Sequence, residues 1–185
     1  MASKVGQNMS VQIGMRSYLF LIDISLKSPL RVPYKDRHYI VELLDILYQH
    51  GLLKTLFVDI YSKATEDYYK EESKRLASSD DYKDSPKKFL EHVSQRLDEE
   101  NKRSAVLFAK YDWCSRDIES ATETSLMEDR LIWLSKGVAT AIDSRDMEGL
   151  TRMYTLFARV DGLKLLCDEF KLHVHVSRLY VQWFL

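Results

Sequence analysis

LLKTLFVDIYSKATEDYYKEESK, residues 52–74, decides the fold. Leu52, Leu53, Leu56, Phe57, Ile60, Tyr61, Ala64, Thr65, Tyr68 and Tyr69 recur in steps of three or four. Glu66, Asp67, Lys70, Glu71 and Lys74 fall between or beyond them. Side chains three and four apart share one face of an α-helix, so the pattern is a single apolar stripe on a long amphipathic helix.

The same period extends outward in both directions. Upstream, Asp36 stands where an N-cap would, and Tyr39, Ile40, Leu43, Leu44, Leu47 and Tyr48 follow at helical spacing until Gly51 ends the pattern. Before that, SPLRVP carries Pro29 and Pro33 and must be a connection. The cluster Tyr18, Leu19, Leu21, Ile22 and Leu26 predicts a first helix over about residues 11–26, and residues 1–10 read as a loose terminus.

Downstream, SSDDYKD is a polar loop over residues 78–84. Ser85-Pro86 then starts a helix, with a hydroxyl cap followed by proline at the first helical position. Phe89, Leu90, Val93, Leu97, Ala105 and Phe108 carry its stripe. A fifth helix is expected from Ile118 to Ile142, weakened at Gly137 by roughly 1 kcal/mol relative to alanine. Residues 143–146, DSRD, form a turn that caps a last helix from Met147 to about Val174. HVHV at residues 173–176 alternates like a strand but reads better as a helix end. The expectation is an all-α, antiparallel bundle of about six helices over residues 11–176, followed by an apolar tail at 177–185.

Composition agrees. Only six glycines and three prolines in 185 residues disfavour a β-sandwich or a glycine-rich nucleotide fold. A net charge of −1 asks for neither nucleic acid nor an anionic membrane as partner. The apolar run at residues 18–22 is broken by Asp23 and is too short to span a bilayer, so the expected location is cytoplasmic or nuclear. Cys114 and Cys167 lie far apart with no CxxC, which predicts free, buried thiols in a reducing compartment.

No catalytic constellation emerges, and no cofactor is called for. There is no phosphate-cradling glycine loop and no GxSxG turn. His173 and His175 point apart on a helix, so they do not share a metal. His92 and Glu99 are two turns apart on one helix, beyond hydrogen-bond reach, and LDEENKR at residues 97–103 reads as a solvated face. The tyrosines on the stripe read as core residues whose hydroxyls reach a partner at the rim.

EGLTRMYTLFARVDGL, residues 148–163, places Leu150, Met153, Tyr154, Leu156, Phe157, Val160 and Leu163 on a helix expected to fill the core. Arg152 and Arg159, seven apart, share one side of it. They are edge ion pairs with Asp146, Glu148 or a neighbour's acidic face, or else contacts to a partner.

Three of these segments resemble the cullin family. Residues 57–76 match a cullin helix at Phe57, Thr65, Tyr68, Tyr69, Glu72 and Ser73. Residues 89–103 look like the next, with an aromatic-Leu, His-Val, Arg96-Leu97 and Glu99-Glu100 followed by Arg. Residues 148–163 are similar at Leu150, Arg152, Met153, Tyr154, Leu156, Phe157, Arg159, Val160, Gly162 and Leu163. His92-Val93 and the TLFARV segment look most similar to cullin four of plants or fungi.

The resemblance implies a middle repeat from a stalk of stacked helical repeats. It implies a non-catalytic scaffold of a RING-type ubiquitin ligase, acting in ubiquitin-dependent protein turnover. Cullin partners are an adaptor with its substrate receptor and a RING protein. The sequence ends at VSRLYVQWFL without a carboxy-terminal cullin domain, so the expectation is a truncated or diverged form that lacks those binding surfaces. The alternative is a helical interaction module, or a competitor that no longer assembles a ligase. An isolated repeat exposes its end faces, which implies some self-association.

Overall fold

A computed structural model of the chain describes residues 34–184, with side chains placed over residues 40–176. The loose start, the first expected helix and the proline connection lie outside the described residues, as do the side chains of the apolar tail. Every regular element among the described residues is helical. The α-helices are α1 (Tyr34–Gln49), α2 (Asp59–Ala77), α3 (Pro86–Leu107), α4 (Asp112–Met127), α5 (Leu131–Ser135), α6 (Gly137–Asp143), α7 (Met147–Arg159) and α8 (Leu163–Phe184). A π-helical turn, Lys54–Val58, leads into α2, and a 3-10 turn, Glu128–Arg130, joins α4 to α5.

The chain divides into two compact units between Thr65 and Glu66, a division that falls within α2. In the first unit, α1 begins at Tyr34, so Asp36 lies inside the first turn rather than capping it. Gly51 does end it, at φ +67°. The Leu52 N–H donates to Leu47 O at 2.8 Å and the Gly51 N–H to Tyr48 O at 3.0 Å, the double closure of a Schellman motif. Leu44, Leu53, Val58 and Tyr61 are buried, and Phe57 stacks on Tyr61 at 5.7 Å.

The second unit has one core. Phe89, Leu126, Leu134 and Phe157 are wholly inaccessible, and Tyr69, Leu90, Met153 and Leu156 pack with them. Each such aliphatic or phenyl side chain contributes about 1.5–3 kcal/mol through removal from water. Helix direction follows from pairs across the core. Tyr69 meets Glu100 while Glu72 meets Arg96, so α2 and α3 run antiparallel. Lys87 meets Asp146 while Glu91 meets Arg152, so α3 and α7 run the same way.

The helix starts fall where capping chemistry places them. Ser85 Oγ accepts from the Lys88 N–H at 3.4 Å with Pro86 at the first helical position. Asp146 Oδ1 accepts from the Gly149 N–H at 2.9 Å.

The two longest expected helices are broken. The run from Ile118 to Ile142 is divided by the 3-10 turn after Met127 and again at Lys136, before Gly137. Gly137 is needed there for space: a Cβ would lie 2.9 Å from Pro86 Cβ. The run from Met147 to Val174 turns at residues 160–162, where Asp161 takes φ 54° and the Gly162 N–H donates back to Phe157 O at 2.8 Å. A Cβ on Gly162 would meet Phe157 Cδ1 at 2.8 Å and Leu131 Cδ2 at 3.2 Å, so this glycine also serves close packing. The HVHV segment is helical. Cys114 is buried as expected, but Cys167 is exposed on the outer side of α8.

Candidate functional site

In the second unit the motif residues of α2 and α3 converge on a buried charge network. Glu72 has a side chain only 2% exposed, because it extends the apolar stripe of α2 by one position past Tyr69. Its Oε1 accepts from Arg96 Nε at 2.8 Å. His92 Nε2 stands 2.7 Å from the same oxygen, a contact that needs the proton on Nε2. Arg96 also donates to Glu99 Oε2 at 2.7 Å, and Gln95 donates to Glu99 Oε1 at 2.8 Å. One turn further along α3, Glu100 accepts from the Tyr69 hydroxyl at 3.0 Å and from Arg103 at 2.5 Å. Ser73 Oγ donates to the Leu126 carbonyl at 2.9 Å, tying α2 to the end of α4.

Burial would push the Glu72 carboxyl up. Hydrogen bonds from His92 and Arg96 outweigh it and hold the group below the usual carboxylate range. Glu99 is likewise held low, against its burial, by Gln95 and Arg96. Burial first, then the facing Glu100, pushes the Tyr69 phenol well above its ordinary value, so the hydroxyl stays protonated and donates. Glu72 Oε2 has no hydrogen-bond partner among the described residues.

A second cluster surrounds α7. Arg159 donates to Glu119 at 2.9 Å and to Glu123 at 2.6 Å, both on α4. Arg152 donates to Glu148 at 2.8 Å and to Glu91 of α3 at 3.3 Å. Lys87 pairs with Asp146 at 2.7 Å. Two arginines on one side of α7 therefore address two different helices. Burial raises the Glu123 carboxyl above its ordinary value even with Arg159 beside it, opposite in sign to Glu72. The hydrogen bond from Lys87, then that from the Gly149 amide, holds Asp146 low.

The remaining motif residues are placed as follows. Phe57 and Thr65 lie in the first unit, both buried, with Thr65 Oγ1 donating to Tyr61 O at 2.8 Å. Tyr68 is half-buried and meets Tyr69 edge-on at 5.1 Å. Leu97, Met153 and Phe157 are core, and Leu150 and Val160 are half-buried. Tyr154 departs from expectation. It is 60% exposed, because the core face of α7 passes through Gly149, Met153, Leu156 and Phe157 and leaves Tyr154 about 100° away.

The LDEENKR face is not wholly solvated either, since Glu100 is 1% exposed. Sequence reasoning missed His92 as the partner of Glu72, and Glu119 and Glu123 as partners of Arg159. The available signal was the i, i+4 spacing of the two glutamates beside Ile118, Thr122 and Leu126.

Among the described residues no group of three or more His, Cys, Asp or Glu stands ready to hold a metal, and no helix is long and apolar enough to cross a membrane. The arrangement pairs charges across helices, with the Glu72 and Glu100 carboxylates buried and the partners of Arg152 and Lys87 at the surface, which suits it to holding helices in register.

Comparison with known proteins gives three findings. Mouse Cullin-4A is 29% identical over 128 residues, which cover 69% of this chain and 16% of the relative's length. No solved structure matches. The family model described as "Cullin alpha solenoid domain" matches residues 23–178. That match takes in most of the sequence, including all three motif segments, and the chain belongs to the cullin family.

Proposed function

We propose that this chain acts as a non-catalytic, scaffold-type element of a cullin-RING ubiquitin ligase, in ubiquitin-dependent protein turnover in the cytoplasm or nucleus. The observation that carries the reading is where the charges are. Glu72, Arg96, Glu99, Glu100, Arg152 and Arg159 pair with one another or with neighbouring helices. A scaffold needs helices held at fixed angles, and the buried carboxylates of Glu72 and Glu100, with the part-exposed pairs by which Arg152 and Arg159 bridge α7 to α3 and α4, are suited to that task.

The partners that follow from family membership are an adaptor and a RING protein. Protein partners fit a net charge of −1 better than nucleic acid or a membrane surface does. Cullin four of plants or fungi is the subclass we assign, on His92-Val93 and residues 155–160, together with the mouse Cullin-4A match. Since the chain spans 16% of that relative, the activity of a whole ligase subunit is part of the proposal.

A second reading, a helical interaction module or competitor that assembles no ligase and associates with itself, is favoured by α8. There Phe170, Leu172, Val174 and Val176 stand 47%, 59%, 37% and 40% exposed. Affinity capture of the endogenous chain, with mass spectrometry of what co-purifies, separates the two. An adaptor or RING protein in the eluate supports the scaffold. Abundant chain with neither, and a dimer mass by light scattering, supports the module.

A further inference from the structure

We infer that Ser85 is a phosphorylation site for a proline-directed protein kinase, and that its phosphoryl group is received by Lys87 and Arg152 in the cavity at the start of α3. Three observations meet at this residue.

The first is the sequence. Ser85-Pro86-Lys87-Lys88 places proline directly after the serine and a lysine three places beyond it. A proline-directed kinase reads this pattern: proline brings no N–H that would need an acceptor in the kinase cleft, and the cation at the third place gives a charge contact. Ser28-Pro29-Leu30-Arg31 repeats the pattern outside the described residues, so two of the three prolines in the chain occur in it.

The second is accessibility of backbone. A kinase needs its substrate extended through the third residue. Residues 85–88 form the first turn of α3, whose amides have no partner within the helix. Pro86 has no N–H, and the cap bond from the Lys88 amide to Ser85 Oγ is 3.4 Å, longer than the usual range. The fully buried side chains begin only at Phe89 and Leu90, which are 0% and 2% exposed, while Pro86 rests against Gly137 and Lys87 pairs with Asp146. The segment the kinase must grip can therefore peel away by giving up the Pro86–Gly137 contact and the Lys87–Asp146 pair, with Phe89 and Leu90 left in the core, and residues 78–84 before it are not helical.

The third is the destination. Ser85 lines a cavity of about 170 Å³ together with Lys87, Ser144, Asp146, Gly149 and Arg152. The cations there pair with carboxylates near the surface, and in each pair one partner is well exposed. Lys87 is 61% exposed where it meets Asp146, and Arg152 meets Glu148, itself 84% exposed. A phosphoryl group with close to two negative charges outcompetes single carboxylates for both.

In the transfer, the Ser85 hydroxyl oxygen bonds to the terminal phosphorus of ATP. The bond to the bridging oxygen breaks, ADP leaves, and the hydroxyl proton passes to the kinase's base. Phosphoserine would then hold Lys87 and Arg152 together, linking α3 to α7 through the modification.

The test uses the full chain with Ser28→Ala, treated with ATP and a purified proline-directed kinase, then mapped by mass spectrometry. One phosphoryl group on Ser85 is expected, transferred at least tenfold more slowly in Lys88→Ala. In the phosphorylated chain, the 31P titration should place the second ionisation below its usual value of about 6. It should return toward that value in Lys87→Ala or Arg152→Ala. An unmodified Ser85 under conditions that modify a peptide of residues 80–92 overturns the site, as does modification only after heat unfolding. An ionisation that the two substitutions leave unmoved overturns the assignment of the receiving cations.

Discussion

Arg96→Ala should be among the most damaging substitutions on the surface of α3. The residue looks like a tolerant position, being charged and in the middle of a long helix. Its side chain is 17% exposed, and it is the guanidinium that pairs with Glu72, whose own side chain is 2% exposed. Removing Arg96 leaves Glu72 in the interior with one contact from His92 and with Oε2 still unpartnered. Glu99 also loses its cation.

Breaking one side of a buried ion pair costs about 3–5 kcal/mol, against 0.2–1 kcal/mol for a pair in water. The lower part of the buried range, about 3 kcal/mol, is expected because His92 remains. Equilibrium urea unfolding followed by tryptophan fluorescence measures it, with Trp133 packed edge-on against Phe89 as the reporter. The double variant Glu72→Leu, Arg96→Met removes both charges and should recover most of the loss. A loss below 1 kcal/mol for Arg96→Ala, with an unchanged denaturant slope, would refute the buried-network account.

Acid titration should expose the Glu72 contribution. Its folded pKa is depressed, so its stabilisation is present above the unfolded value and lost as pH falls through the folded one; Glu72→Gln should flatten that acid loss in a stability-against-pH curve. Glu123 has the opposite sign, with a folded pKa raised by burial, so Glu123→Gln at pH 7 should change stability by less than about 1 kcal/mol despite removing the charge from a 2.6 Å pair, as urea midpoints will show. Gly137→Ala, a change that normally favours a helix, should destabilise by about 1–3 kcal/mol in thermal unfolding because the new methyl meets the rigid Pro86 ring. Arg145→Gly should raise stability by roughly 0.5–1 kcal/mol in the same assay, since Arg145 is held at φ 55°.

The all-helical fold was legible because the stripe through residues 52–69 keeps its period without a breaker. The starts at Ser85 and Asp146 were legible because a capping side chain acts within three residues of itself. The breaks inside the two long helices were harder. At Val160 and Leu163 the apolar spacing runs on across the turn, and both residues pack on the same core, so periodicity alone reports continuity. The Asp161-Gly162 pair was the signal, outweighed by that continuity.

The charge network was half legible. The stripe of α2 predicts which face is buried, but whether a glutamate on its margin goes inside depends on cations arriving from α3, twenty or more positions away. Tyr154 was misplaced for a local reason: it follows Met153 by one residue, about 100° around the helix, and the core face runs through Met153, Leu156 and Phe157.

The corner after α7 carries a consequence for how this sequence can drift over generations. Gly162 has Phe157 and Leu131 pressed against the place where a side chain would begin. Any descendant that acquires a larger residue at 162 must shed volume at one of the other two, or reposition α8. The three sites are thus expected to change as a set. A lineage with alanine or serine at 162 should carry a smaller residue at 157 or 131, and the order of those replacements should place the shrinkage first.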